Sequence, residues 1–146
     1  MTISIGADHA GYELKTKIIA YLKTRNISVI DQGTNSEESV DYPDFGHRVA
    51  MTVQNHKADL GILMCGSGNG IGMAANRHKG IRAAISWRKE IAEMARKHNN
   101  ANILVLPARY ISEKEAIDCV EAFLDSSFEG GRHERRVGKI DEVSEV

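Results

Sequence analysis

Ala58-Asp59-Leu60-Gly61-Ile62-Leu63-Met64-Cys65-Gly66-Ser67-Gly68-Asn69-Gly70-Ile71-Gly72-Met73-Ala74-Ala75-Asn76 is the stretch whose reading decides the fold. Its first half is a short apolar run, the mark of a buried strand. Its second half carries glycine at 66, 68, 70 and 72, then turns helix-compatible through Met73-Ala74-Ala75. A strand that ends in glycines and opens into a helix turns backbone N–H groups toward one point, a place for negative charge. Cys65 stands at its entrance. A thiol at a helix N-terminus has its thiolate stabilised, with pKa values of roughly 3.5–7.5 known in such settings. The stretch therefore joins a candidate base or nucleophile to a candidate oxyanion hole. Two plainer readings compete: glycines that serve only a tight strand-to-helix turn, and a dinucleotide fingerprint. Gly70-x-Gly72-x-x-Ala75 matches GxGxxA, but its spacing lies inside the helix, and such a motif should close the first strand. About two strands precede this one, and no acid ends the next, since Ile81 to Ile85 is followed by Ser86-Trp87.

Outward from this centre the chain alternates strand and helix. Thr2 to Gly6 reads as a strand, followed by the loop Asp8-His9-Ala10-Gly11 and a helix with Leu14, Ile18, Ile19 and Leu22 on one face. Ile27 to Ile30 is a second strand, and Thr34 to Asp41 a polar loop. Pro43 suits a helix start, and Phe45, Val49, Ala50 and Val53 continue that helix. After the third strand (Asp59 to Met64) and the glycine turn come a strand from Ile81 to Ile85 and a helix from Trp87 to Lys97, stopped by His98-Asn99-Asn100. Asn102 to Leu106 is the fifth strand. Ser112 caps a helix to about Leu124, with Glu115 at the capping-box position. Gly130-Gly131 precedes a last basic helix from about Arg132, and the final residues read as frayed.

This pattern predicts an α/β fold: a three-layer αβα sandwich on a five-stranded parallel sheet, Rossmann- or flavodoxin-like, as a single domain over 1–146. The strands are apolar throughout, as a sheet covered on both faces requires. The expected strand order is 2-1-3-4-5, with a crevice between strands 1 and 3 that sets the Asp8-His9 loop against the Cys65 loop.

Composition narrows the class further. The chain has 146 residues, a net charge of −1, 42% hydrophobic and 27% charged residues, ordinary globular values that offer no bulk field for nucleic acid or membrane. It has no long apolar run, its start reads as a strand so that no cleavable leader is expected, and its cysteines, Cys65 and Cys119, are far apart. A reduced cytoplasmic protein is expected. Cys119 falls in an apolar helical pattern and reads as core. No Cys/His/Asp set has metal-ligand spacing, so neither a metal nor a cofactor is expected.

Several polar residues have two readings each. Asp8 is a site residue or the cap of the next helix. Tyr42 is site or packing. His98 is a chemical group or a favourable helix C-terminus. Arg132 and Arg136 lie four apart on one helical face, which suits clamping a phosphate; as a bland alternative they are a solvated face.

Taken together, Gly6-Ala7-Asp8-His9-Ala10-Gly11, Asp41-Tyr42-Pro43, Cys65-Gly66-Ser67-Gly68-Asn69-Gly70, Ala74-Ala75-Asn76, His98-Asn99 and Glu129-Gly130-Gly131-Arg132-His133-x-x-Arg136 resemble the type B ribose-5-phosphate isomerases. The wider family also holds allose-6-phosphate and galactose-6-phosphate isomerases. The resemblance spans essentially the whole chain. It implies interconversion of ribose 5-phosphate and ribulose 5-phosphate, a step of the non-oxidative pentose phosphate pathway, without metal or cofactor. It implies Cys65 as the base between C1 and C2, His98 as the group that opens the sugar ring, and Ser67 as the hydroxyl of the catalytic turn, where many relatives have Thr. Asp8, His9, Tyr42, Gly66, Ser67, Gly68, Asn69, Gly70, Asn99, Arg109, Arg132 and Arg136 match substrate-binding positions, the arginines chiefly for phosphate. One branch of the family replaces the cysteine with a glutamate at position 71; Ile71 places this chain in the cysteine branch. The implied partner is a second copy of the chain in a homodimer with shared sites, with a dimer of dimers left open. A hexose 6-phosphate isomerase, a non-catalytic phosphosugar-binding module and a redox protein built on Cys65 are the competing functions.

Overall fold

The computed structural model describes residues 1–143. The reading of the chain end as frayed falls mainly on 144–146, outside the described residues. Five parallel strands form one sheet: β1 (Thr2–Ala7), β2 (Ser28–Asp31), β3 (Leu60–Cys65), β4 (Ala83–Ile85) and β5 (Ile103–Pro107). Six helices join them: α1 (Tyr12–Thr24), α2 (Tyr42–Gln54), α3 (Asn69–Ala75), α4 (Lys89–Asn99), α5 (Glu113–Asp125) and α6 (Arg132–Gly138). No described helix is long and apolar enough to cross a membrane.

Both faces of the sheet are covered, as the apolar strands predict. On one face Ile3, Ile5, Ile62, Met64 and Leu104 pack against Ile18 and Leu22 of α1, Ala92 and Ala95 of α4, and Cys119 and Phe123 of α5. On the other, Leu63, Cys65, Ile103 and Val105 meet Phe45, Val49 and Val53 of α2 and Ile71 and Ala75 of α3. Alternation along β3 therefore sends Cys65 to the α2/α3 face. The Ser112 cap of α5 forms as expected, with Glu115 N–H donating to Ser112 Oγ at 3.1 Å and Ser112 N–H to Glu115 Oε1 at 3.1 Å. Lys15 is buried; its Nζ reaches both oxygens of Asp31 at 2.7 and 2.8 Å, so the charge that α1 carries inward is paired.

The strand order is 2-1-3-5-4, which corrects the expected 2-1-3-4-5. The cause is burial. Every residue of β5 is buried, whereas β4 has three residues, all only partly buried. The more apolar strand takes the inner position and the short one the edge, where unpaired backbone is tolerated. β4 is also shorter than the expected Ile81 to Ile85. Ile81 N–H is used in a turn, donating to the His78 carbonyl at 3.1 Å, and Arg82 N–H donates to the Asn102 side chain at 2.8 Å. The helix expected over Trp87 to Lys97 starts later and runs on through His98 and Asn99. Arg88 is extended (φ −145°, ψ 148°), and the helix stops at Asn100, which is left-handed (φ 47°).

The revised order has a measurable consequence. Leu104→Ala, in the fully buried inner strand, should cost about 2–5 kcal/mol. Ile85→Ala at the half-buried edge should cost distinctly less. Urea unfolding at unchanged m-value reads both; equal losses would contradict the inner position of β5.

Candidate active site

The carboxyl end of β3 is where the chain's polar loops meet. β1 and β5 flank β3 in parallel register, Ala7 beside Met64 and Pro107 beside Cys65. The loops that leave the two neighbours are tied to the loop that leaves β3. Asp8 N–H donates to the Met64 carbonyl at 3.3 Å, Ala108 N–H to Cys65 at 2.9 Å and Arg109 N–H to Gly66 at 3.0 Å. In the order 2-1-3-4-5 the Arg109 loop would lie roughly one further strand spacing, about 4.8 Å, from Cys65. The observed order brings it alongside.

The glycine turn between β3 and α3 is shaped as its sequence requires. Gly68 is the N-cap of α3 in a left-handed conformation (φ 79°) that L side chains rarely adopt. The first bond of α3 runs from Gly72 N–H to the Gly68 carbonyl at 3.1 Å. The N–H groups preceding it have no partner within the helix, as at any helix start. Asn69 N–H donates to Ser67 Oγ at 3.3 Å. A Cβ at Gly70 would lie 2.3 Å from Tyr42 Cε1, so the Tyr42 ring rests directly on the turn. A Cβ at Gly66 would lie 3.3 Å from Arg109 Nη1, so the guanidinium covers the turn's start.

Asp8 is buried, and its Oδ1 accepts from Ala10 N–H at 3.0 Å and Gly11 N–H at 3.2 Å. It therefore braces the loop after β1, whereas the N-cap of α1 is Gly11 with no side-chain cap bond, so Asp8 is not the cap of that helix. His9 Nδ1 accepts from Val40 N–H at 3.2 Å, which puts the proton of the neutral ring on Nε2. Cys65 is 5% exposed. Beside the turn lies a depression of about 560 Å³ between Ser67, Asn69, Ile85, Trp87, Pro107 and Tyr110. A larger groove of about 890 Å³ runs past Tyr42, Asn69, Gly70, Met73 and Ile85.

His98, Asn99, Arg132 and Arg136 are elsewhere. α4 leaves the carboxyl edge after β4 and ends at the amino edge before β5; Asn99 lines a cavity there with Ile81, Arg82 and Ala101. The 11 residues of α4 span about 16 Å at about 1.5 Å each. At that end His98 Nε2 lies 3.2 Å from Glu129 Oε1, and the His98 and His133 rings stack with centroids 4.3 Å apart. Burial, then the charges of His98 and Arg132, hold His133 below the ordinary histidine range. His98, Glu129 and His133 each bring one ligand atom within 4.8 Å of the others, a span that could accept a metal ion. Sequence spacing gave no sign of this set, because its members come from the end of one helix, a loop and the start of another.

Parallel strands with polar loops gathered at the carboxyl edge, at the point where the strand order reverses, define an α/β protein with an open-sheet ligand crevice. The chain belongs to the ribose/galactose isomerase family, whose profile matches residues 3–140. It is 41% identical to ribose-5-phosphate isomerase B of Escherichia coli K12 over 143 residues, 98% of this chain and 96% of that one. A ribose 5-phosphate isomerase structure from Thermotoga maritima superposes with TM-score 0.96 at 54% identity, covering 97% of this chain and 98% of the other. The Mycoplasma genitalium ribose-5-phosphate isomerase B, solved with bound ribulose 5-phosphate, superposes with TM-score 0.91 at 46% identity over 96% and 93% of the two chains.

The two thiols should differ in reactivity. Cys119 is fully buried, and burial pushes its thiol up to about 12. Iodoacetamide on the folded protein should therefore modify Cys65 and leave Cys119 untouched until denaturant is added. Peptide mass spectrometry reads the order, and early labelling of Cys119 would contradict its core placement.

Proposed function

We propose that this protein interconverts ribose 5-phosphate and ribulose 5-phosphate in the reduced cytoplasm, with Cys65 as the base and His98 as the ring-opening group. The observation that carries the reading is the convergence at the end of β3. A thiol, a glycine turn with N–H groups left over by its helix, and the Asp8-His9 and Arg109 loops are tied together there by backbone bonds. The names of the relatives, and the ribulose 5-phosphate bound in one of them, support the substrate.

The chemistry follows from these groups. His98 takes the proton of the C1 hydroxyl and delivers it to the ring oxygen O4 as the C1–O4 bond breaks and the aldehyde appears. The Cys65 thiolate takes the C2 proton, and the electron pair moves through C2–C1 onto O1 as an enediolate. N–H groups of Gly66 to Gly70 and the Ser67 hydroxyl meet that growing charge, in a site walled by apolar side chains where such donors act strongly. The thiol returns the proton to C1, while the O2 proton passes to O1 and the carbonyl forms at C2. Asp8, His9, Tyr42 and Asn69 line the sugar. Arg109, Arg132 and Arg136 supply forked donors for the phosphate, which carries about −2 charge.

His98, Asn99, Arg132 and Arg136 sit at the sheet edge opposite Cys65 within one chain. A two-fold homodimer reconciles this with the chemistry, because one isologous interface would set His98 of each copy beside Cys65 of the other. The apolar groove supports a second copy as its occupant: Met73 is 69% exposed and Tyr42 41%, a surface that a lone chain leaves in water.

Three measurements test the reading. Cys65→Ala should lower kcat by about 10²–10⁴, the usual worth of a positioned base, in an assay run over ribose, allose and galactose phosphates. Preference for a hexose 6-phosphate there would overturn the substrate. Arg136→Ala should raise KM far more than it lowers kcat, since the phosphate is held equally in ground and transition states; the lost charged partner is worth roughly 1.5–3 kcal/mol. Mixing inactive Cys65→Ala and His98→Ala proteins under subunit exchange should restore about a quarter of wild-type activity, from one intact site in half of the dimers. Exchange without any return of activity would show that His98 works within its own chain.

A further inference from the structure

The surroundings of His98 are built from a distant part of the chain. After α5 the chain crosses the end of α4, where Glu129 N–H donates to the Lys97 carbonyl at 3.0 Å. That bond satisfies one of the carbonyls a helix leaves free in its last turn. It also delivers the Glu129 carboxylate, Oε1 lying 3.2 Å from His98 Nε2. α6 then starts, and its His133 ring covers one face of His98 with the planes 12° apart. His98 is therefore gripped at one ring edge by a carboxylate and on one face by a second ring, although its side chain is 38% exposed. A partly exposed histidine with no other task has no need of two such constraints.

Two chemical readings of this cluster are possible. One is a cation site on His98, Glu129 and His133. Arg132 and Arg136, on the same short helix as His133, bring positive charge to this corner and disfavour a divalent ion there. Burial first, then the neighbouring positive charges, holds His133 below the ordinary histidine range. The other reading needs no ion. A carboxylate beside one nitrogen of an imidazole decides which nitrogen carries the proton of the neutral ring.

We propose that Glu129 is a positioning residue for His98: its carboxylate holds the Nε2 edge of the ring, keeps the proton of the neutral ring on Nε2, and leaves Nδ1 to exchange a proton with the sugar. His133 limits rotation of the ring by stacking. The proposal rests on His98 being the ring-opening group. It adds the atom that acts and the residue that selects it.

The test compares Glu129→Ala, Glu129→Gln and His98→Ala. Both Glu129 variants keep the backbone N–H that docks on Lys97, so a purely structural role of this segment would leave both fully active. Glu129→Ala should lower kcat for ribose 5-phosphate about tenfold to a hundredfold, part of the full worth of a positioned acid–base group. KM should move by less than about twofold, because the phosphate contacts remain. Glu129→Gln keeps an acceptor oxygen and should recover part of the loss. Nitrogen-15 spectra of the neutral His98 ring should show the Nε2–H tautomer in the wild type and a mixture in Glu129→Ala. Wild-type kcat in Glu129→Ala, with His98→Ala inactive, would overturn the role of Glu129 alone. Full activity in His98→Ala would remove the ring-opening assignment beneath it. Loss of wild-type activity on treatment with EDTA, restored by zinc, would make the cluster a metal site and overturn the positioning role.

Discussion

The carbonyl groups at the end of β3 are the constraint on which the site depends. Met64, Cys65 and Gly66 each accept an N–H from a neighbouring loop, and these bonds come from both sides of the strand. Each is worth only about 1 kcal/mol of net stability. Their importance is geometric, because three loops that would otherwise wander are registered to one strand buried on both faces. A loop is a good place for polar side chains and a poor place for precision, and parallel ladders on either side supply the precision. The arrangement needs an inner strand with partners left and right, so the thiol lies on β3 and the supporting loops follow β1 and β5.

Most of the architecture was legible because hydrophobic periodicity reports it directly. Five apolar runs separated by amphipathic stretches specify a doubly covered parallel sheet, and the Ser112–Glu115 pair announces its helix start. The order of the last two strands was not, because sequence order is silent on which strand crosses over which. The signal available was weak: Ala83-Ala84-Ile85 is short and small, whereas Ile103-Leu104-Val105-Leu106 is bulky throughout. That one exchange matters for the site, since it carries Arg109 to Gly66. The residues themselves identified Cys65 and its turn as a place for chemistry. They left Asp8, Tyr42, His98 and the arginines ambiguous, and the resemblance to a family supplied their roles. Glu129 escaped both routes, because its contact with His98 depends on how a loop docks onto a helix end.

The two cysteines show how little residue type alone conveys. Both are free thiols and both are counted as buried. Cys119 faces Val120 and Phe123 in a layer of aliphatic and aromatic carbon, where a charged sulfur has nothing to meet. Cys65 ends a strand beside a turn rich in backbone donors. The oxidation chemistry open to the two sulfurs differs for the same reason, and there is no second thiol at the turn to close a disulfide with Cys65.

The seating of Tyr42 on Gly70 carries an evolutionary implication. The bare Cα of residue 70 and the ring of residue 42 occupy complementary volumes, although they belong to different helices and lie far apart along the chain. A side chain at 70 would push the partly exposed Tyr42 ring off the turn, and a smaller residue at 42 would uncover the turn to solvent. A change at either position therefore alters how the turn is covered. Across related sequences the two positions should drift as a linked pair, with glycine at 70 retained wherever an aromatic ring stands at 42.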